Sequence, residues 1–241
     1  GKLPMPSVQE IIFNNILKVK EKSFVHSTFY YERQGGSQFL ADELAKGLNI
    51  HCNSNVTSLE LRAGKWFVNG NAYDMVVFCG NIKDIPQILK GVKLNAFNDE
   101  IEHLKYHGTT SVFCEIEKNP YSWIYLPSKD HLSHRIICTG NFSPANNAGG
   151  NMTATIEFTD EINKEDILAN LCKLPYKPLY LDHHYNRYTY PIQDSNTRAM
   201  IKELKSYLAP LGLHMSGRFA DWEYYNMDAA MGSAIDLCKT L

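Results

Sequence analysis

Apolar residues recur along this chain at two spacings, one helical and one of strand type. Ser7-Val8-Gln9-Glu10 forms a capping box, and Ile11, Ile12, Leu17 and Val19 follow in a helix-compatible segment. Phe24 to Tyr31 is β-branched and aromatic, which predicts a strand. Gly35-Gly36-Ser37 then opens a second helix that carries Phe39, Leu40, Leu44 and Leu48, with Gly47 near its end. Val56, Leu59 and Leu61 are expected to pair with Trp66-Phe67-Val68 across a turn at Ala63-Gly64. Tyr73–Cys79 reads as a near-continuous apolar strand of the buried type.

From about Tyr106 to Phe158, β-rich runs alternate with Gly, Asn and Pro. They predict strands at Thr110–Ile116, Ser122–Leu126, Arg135–Gly140 and Thr153–Phe158, with an exposed loop over Asn141–Asn151. A helix is expected over Lys164–Cys172, strand character over Leu179–Tyr190 and another helix over Asn196–Leu208. A short strand at Leu213–Ser216 and a terminal helix from Asp228 to Lys239, burying Met231, Ala234, Ile235 and Cys238, complete the pattern. Strands outnumber helices and helices flank them, so the fold class is α/β to α+β with a mixed β-sheet.

Composition narrows the function. Of 241 residues 44% are hydrophobic and 21% charged, the balance of a globular protein with a sizeable core. The net charge is −2, and no basic run interrupts it, which argues against a nucleic-acid partner. Apolar stretches such as Met75–Cys79 are too short to cross a bilayer, and no signal-peptide pattern is present. Six single cysteines, mostly among apolar neighbours, predict buried free thiols in a reducing, cytoplasmic setting. There the sequons at Asn55, Asn141 and Asn151 are coincidental. Residue 1 is Gly rather than Met, which suggests a processed tag or an engineered boundary.

The candidate chemistry lies near the end, in Ser216-Gly217-Arg218-Phe219-Ala220-Asp221-Trp222-Glu223-Tyr224-Tyr225-Asn226-Met227-Asp228. Asn226 and Asp228 stand at a helix start, whose unpaired N–H groups suit an anion or an electron-rich ring edge. Gly217 allows close approach of a ligand, and Arg218 supplies a cation for phosphate or carboxylate. The competing explanation is an N-capped core helix with an arginine ion pair.

This stretch resembles the C-terminal flavin-binding segment of the superfamily that contains flavin amine oxidases, protoporphyrinogen oxidases and UDP-galactopyranose mutase. Three further pieces resemble that family in the expected order: Tyr30–Ser37 with its helix and the strands around Val56, then Tyr73–Cys79, then Tyr188-Thr189-Tyr190-Pro191-Ile192. The resemblance implies FAD as cofactor. Gly217 and Arg218 would lie near its pyrophosphate or the active-site pocket. Asn226, Met227 and Asp228 would present the terminal helix to the flavin pyrimidine edge, and Val56 would contact the adenosine half through its backbone. Arg218 and Tyr224 match mutase positions that face a sugar-nucleotide diphosphate, whereas Asn226 stands where the mutase carries an acid.

The strand–G-x-G-x-x-G–helix unit of dinucleotide binding is absent: Gly35-Gly36 lacks a third glycine and no helix follows Gly149-Gly150. The expectation is therefore the C-terminal portion of a longer FAD-dependent oxidoreductase, inactive alone and binding FAD weakly or not at all. Its regions would be 1–105, a partial Rossmann-like FAD-binding region; 106–192, a β-rich substrate-binding region; and 193–241, a return to the FAD-binding domain. The rival readings are a sugar-nucleotide enzyme like the mutase and a flavin-free scaffold. Small-molecule substrate is the expected partner, and apolar surface left by lost N-terminal strands would favour a homodimer.

Other groups carry less. Tyr185, Tyr188 and Tyr190 alternate along a strand and either line the substrate pocket or pack the sheet. His183-His184 point to opposite faces of a strand, and His103 and His107 lack an accompanying glutamate, so no metal site is expected. No Gly-x-Ser-x-Gly or Cys/His pairing suggests a nucleophile.

Overall fold

A computed structural model describes residues 8–9, 29–95, 97–147 and 149–241. The predicted helix after Ser7 and most of the Phe24–Tyr31 strand lie outside the described residues. Among the described residues the fold is mixed α/β, with three sheets and flanking helices.

Helix α1 (Gln38–Ala45) precedes two hairpins built from β1 (Leu59–Arg62), β2 (Lys65–Val68) and β3 (Asn71–Tyr73). The turn residues Ala63-Gly64 and Asn69-Gly70 all have positive φ, the conformation that lets a two-residue turn match the twist of its strands. Register then follows, with Leu61 opposite Trp66 and Trp66 opposite Tyr73. β4 (Val76–Phe78) leaves this sheet, and α2 (Ile85–Ile88) leads into β5 (Leu89–Lys90), which pairs with β1 in parallel. After α3 (Phe97–Glu102) comes an antiparallel sheet of order β10-β6-β9-β8-β7. It comprises β6 (Lys105–Ile116), β7 (Trp123–Tyr125), β8 (Ser133–Ile137), β9 (Met152–Thr159) and β10 (Leu179–Ile192), with α4 (Lys164–Leu171) between β9 and β10. The chain then forms α5 (Thr197–Leu208), β11 (Leu213–Met215), which pairs in parallel with β4, and α6 (Met227–Cys238).

Two cores result. The first draws Leu59, Trp66, Ile82, Ile85 and Ile101 together with Leu204, Leu208, Leu213 and Trp222, from opposite ends of the sequence. The second packs Val112, Ile136, Ile156 and Phe158 from one face of the large sheet against Ile167 and Leu171 of α4. Strand alternation leaves the opposite face of that sheet with Arg135, Glu157, Ser111 and His184 in one cross-strand row.

Four expectations need correction. Tyr73–Cys79 is not one buried strand: it breaks at Asp74-Met75 into β3 and β4, which belong to different sheets, and Tyr73, Met75 and Val77 are exposed. The terminal helix does not bury its apolar side, since Ala234, Ile235 and Cys238 are exposed and Met231 is half-buried. Asn141–Asn151 is partly packed, with buried Ser143 donating to the Arg33 carbonyl. Of the six thiols only Cys114 and Cys138 are buried. Among the described residues no helix is long and apolar enough to cross a membrane.

Trp66 ties the two chain ends together: it is fully buried, and its Nε1 donates to the Leu211 carbonyl at 2.7 Å. Trp66→Ala should lower the unfolding free energy by about 3–5 kcal/mol. Trp66→Phe, which keeps a ring but leaves that carbonyl without its donor, should cost about 1–3 kcal/mol. Urea denaturation would measure both, and wild-type midpoints would contradict this role.

Candidate functional site

A groove of about 870 Å³ runs along β4, lined by Ser54–Thr57 on one side and by Val76–Gly80, Asp84 and Gln87 on the other. Asn69 shapes its first wall: its Oδ1 accepts from the Thr57 and Ser58 amides at 2.9 and 3.1 Å, and its Nδ2 donates to the Asn55 carbonyl at 2.8 Å. Val56 therefore sits in a segment held by its neighbours' backbone. The other wall ends at the carboxyl ends of the parallel strands β4 and β11, the place where open α/β sheets leave a crevice for ligands.

Ser216 continues from β11, its amide donating to the Phe78 carbonyl at 3.1 Å. Gly217 follows at φ 111°, which disfavours any side chain. An added Cβ would lie 3.6 Å from the Cys79 carbonyl, so the backbone approaches β4 closely. The loop then folds on Asp221, a buried carboxylate that accepts from Lys205 Nζ at 2.6 Å, Ser233 Oγ at 3.0 Å and the Gly217 amide at 3.3 Å. Asn226 occupies the N-cap position of α6 without a side-chain cap hydrogen bond, and Asp228 lies in the first turn. The Cys79 thiol is pushed up by burial and by the charge of Asp221.

Beyond Gly217 the loop turns toward the polar face of the large sheet. Arg218 is clamped by two carbonyls, Nε donating to Tyr225 at 2.7 Å and Nη1 to Thr189 at 2.9 Å. Its guanidinium lies 5.6 Å from the Tyr190 ring centroid and 5.1 Å from that of Tyr224, within cation–π range, and the two rings stack at 5.5 Å. The Tyr190 hydroxyl accepts from Arg135 Nη2 at 3.1 Å. Arg135 Nε in turn donates to Glu157 at 2.5 Å, and His134 Nε2 reaches the same carboxylate oxygen at 3.2 Å. Burial pushes the Tyr190 hydroxyl up. Burial also opposes the Glu157 charge, but hydrogen bonds from His134 and Arg135 and their charge outweigh it and hold the carboxyl below its ordinary range.

The structure thus brings Arg218, Tyr190 and Tyr224 together, and places Gly217 against β4 beside the groove that Val56 lines. Tyr188 goes elsewhere: its ring packs on Tyr106 at 4.4 Å, with Arg187 beside both and Phe219 at 6.1 Å. A register shift between Asn186 and Tyr190 breaks the expected alternation of Tyr185, Tyr188 and Tyr190. Met227 is exposed at the start of α6. Arg135, Glu157 and His134 were missed by sequence reasoning. The available signal was charge at polar positions of strands otherwise rich in Ile and Phe, in Ser133–Ile137 and Thr153–Phe158. Among the described residues no cluster of His, Cys, Asp and Glu could hold a metal ion.

This architecture occurs in solved enzymes. A reduced UDP-galactopyranose mutase superposes with a TM-score of 0.78 over 99% of this chain and 58% of its own, at 16% identity. A CLA-producing fatty acid isomerase from P. acnes gives 0.65 over 86% and 52%, at 12% identity. A putrescine oxidase gives 0.63 over 86% and 52%, at 13% identity. The chain has the fold of these enzymes. It spans little more than half the length of each. No protein-family model and no curated protein sequence matches it significantly, so the likeness is one of fold.

A carboxyl whose pKa falls on folding adds stability above its unfolded value, and that stability is lost as pH drops through the folded value. Between about pH 7 and about pH 3, wild-type urea midpoints should therefore fall more steeply than those of Glu157→Gln once the ordinary glutamate range is passed. Parallel curves would contradict the pairing of Glu157 with Arg135 and His134.

Proposed function

We propose that this chain forms the cofactor- and substrate-facing portion of an FAD-dependent enzyme whose substrate is an organic anion of the sugar-nucleotide diphosphate class. The observation that carries this reading is the convergence of Arg135 and Arg218 on the Tyr190–Tyr224 stack. Guanidinium groups bind phosphate in bidentate fashion, and a stacked tyrosine pair offers hydroxyls and a flat wall. Glu157 neutralises one arginine, so the cluster keeps a net positive charge that favours an anion and disfavours a diamine. The groove along β4 has the size to take part of a dinucleotide, and in this reading Gly217 and the α6 N-terminus, with Asn226, Met227 and Asp228, serve the flavin end. When bound, FAD supplies electron-pair transfer or, reduced, a nucleophile. The residues of this chain orient the substrate, screen its charge and exclude water from the reacting end.

An oxidoreductase of the amine oxidase or protoporphyrinogen oxidase type is the second reading, favoured by Asn226 in place of the acid that the mutase carries there. Turnover of a UDP-sugar with reduced but not oxidised cofactor supports the redox-neutral reading, whereas substrate-dependent flavin reduction supports the oxidoreductase.

Calorimetric titration of UDP-glucose into protein from the complete reading frame tests the anion site. Arg218→Ala should weaken binding by about tenfold or more, and Arg218→Lys should restore little of it, because an ammonium cannot replace the planar fork. Equal affinity in wild type and Arg218→Ala would overturn the assignment.

A further inference from the structure

A smaller cavity lies behind the loop that carries Arg218. It measures about 350 Å³, at the small end of the range for ligand pockets. Its charged lining is Arg198, Lys202 and Lys205 of α5 and Asp221 and Glu223 of the loop, with Tyr225 beside them. We propose that this cavity binds a small oxyanion of the phosphate class, and that such binding opposes ligand binding at Arg218. The second half of the proposal rests on the function proposed above; the first does not.

The cations come from one face of one helix. Positions 198, 202 and 205 are spaced i, i+4 and i+7, which aligns the three side chains along a single stripe of α5. The stripe of Met200, Ile201, Leu204 and Leu208 is buried in the first core and fixes how the helix is turned. Two of the cations are paired across the cavity. Arg198 grips Glu223 through Nε at 2.7 Å and Nη2 at 3.2 Å, and Lys205 Nζ meets Asp221 at 2.6 Å. Lys202 is exposed and pairs with no carboxylate among the described residues. Three cations against two carboxylates leave the lining net positive, and Lys202 holds the uncompensated charge. An anion bound there has Lys205 three residues on and Arg198 four residues back, and both donor types form charge-assisted hydrogen bonds to phosphate oxygens.

The loop carries the consequence to its other side. The Glu223 amide donates to the Arg218 carbonyl at 3.0 Å, the Tyr225 carbonyl accepts from Arg218 Nε at 2.7 Å, and Asp221 accepts from the Gly217 amide at 3.3 Å. A bound anion competes with Asp221 and Glu223 for Lys205 and Arg198. Both carboxylates are then held less firmly, and with them the loop that clamps Arg218. Linkage makes the effect mutual: each ligand weakens the other by the same factor.

The first probe is inorganic phosphate, titrated calorimetrically at constant ionic strength into wild type, Lys202→Gln and Lys202→Arg of the protein from the complete reading frame. Lys202→Gln should bind about tenfold more weakly than wild type, and Lys202→Arg should restore most of the loss. No phosphate binding to wild type, or one affinity in all three proteins, overturns the site. The second probe is UDP-glucose, with and without saturating phosphate. In wild type, phosphate should raise its Kd about fivefold to a plateau. Lys202→Gln should match phosphate-free wild type under both conditions. A Kd that ignores phosphate in wild type overturns the coupling and leaves the phosphate site standing. A Kd that climbs without a plateau, equally in wild type and Lys202→Gln, means that phosphate competes at Arg218 itself, and also overturns the coupling. If UDP-glucose binds none of the proteins, the Arg218 reading and the coupling fall, and the phosphate titration alone decides the cavity.

Discussion

The arrangement depends on one buried charge. Asp221 cannot sit in the interior without partners, because an uncompensated carboxylate there carries a desolvation cost of several kcal/mol. Its donors include Lys205 on α5, Ser233 on α6 and the amide of Gly217. Satisfying that carboxylate therefore fixes the loop between β11 and α6 against two helices at once. Gly217 is held against β4, Arg218 faces the sheet, and Tyr224 meets Tyr190. The groove and the arginine–tyrosine cluster are two ends of one loop.

The second organising fact is the two-faced large sheet. One face carries Val112, Ile136, Ile156 and Phe158 against α4, and its burial fixes the register of the three strands β6, β8 and β9 that carry them. With register set, Glu157 lies beside Arg135 on the opposite face, and β10, after its register shift, brings the Tyr190 hydroxyl to Arg135. Hydrophobic packing on one side thus positions polar chemistry on the other. The bulge at His134 is the local exception that brings a second side chain to the Glu157 carboxylate.

Much of this was legible in the sequence because the signals were local. The Ala63-Gly64 turn, the strands of the large sheet, the helix over Asn196–Leu208 and the glycine–arginine loop before the terminal helix each announce themselves within a few residues. The misreadings share another cause. Tyr73–Cys79 has the composition of a buried strand, but Asp74-Met75 divides it between two sheets, and which sheet a segment joins is a long-range choice. The apolar side of α6 looked like core for the same reason. Arg135, Glu157 and His134 are separated from Arg218 by 60 to 85 positions in round terms, about the scale at which sheet register rather than local pattern decides proximity. Tyr188 was grouped with Tyr190 by spacing, and a register shift that no local pattern announces sends it to Tyr106 instead.

The most direct measurement is the visible absorption spectrum of the protein purified from its complete reading frame. The proposed cofactor and anion site together predict the double band of bound flavin, with a change in band shape when UDP-glucose is added. A colourless protein that takes up no added FAD would contradict the cofactor assignment and leave the fold without the chemistry proposed for it.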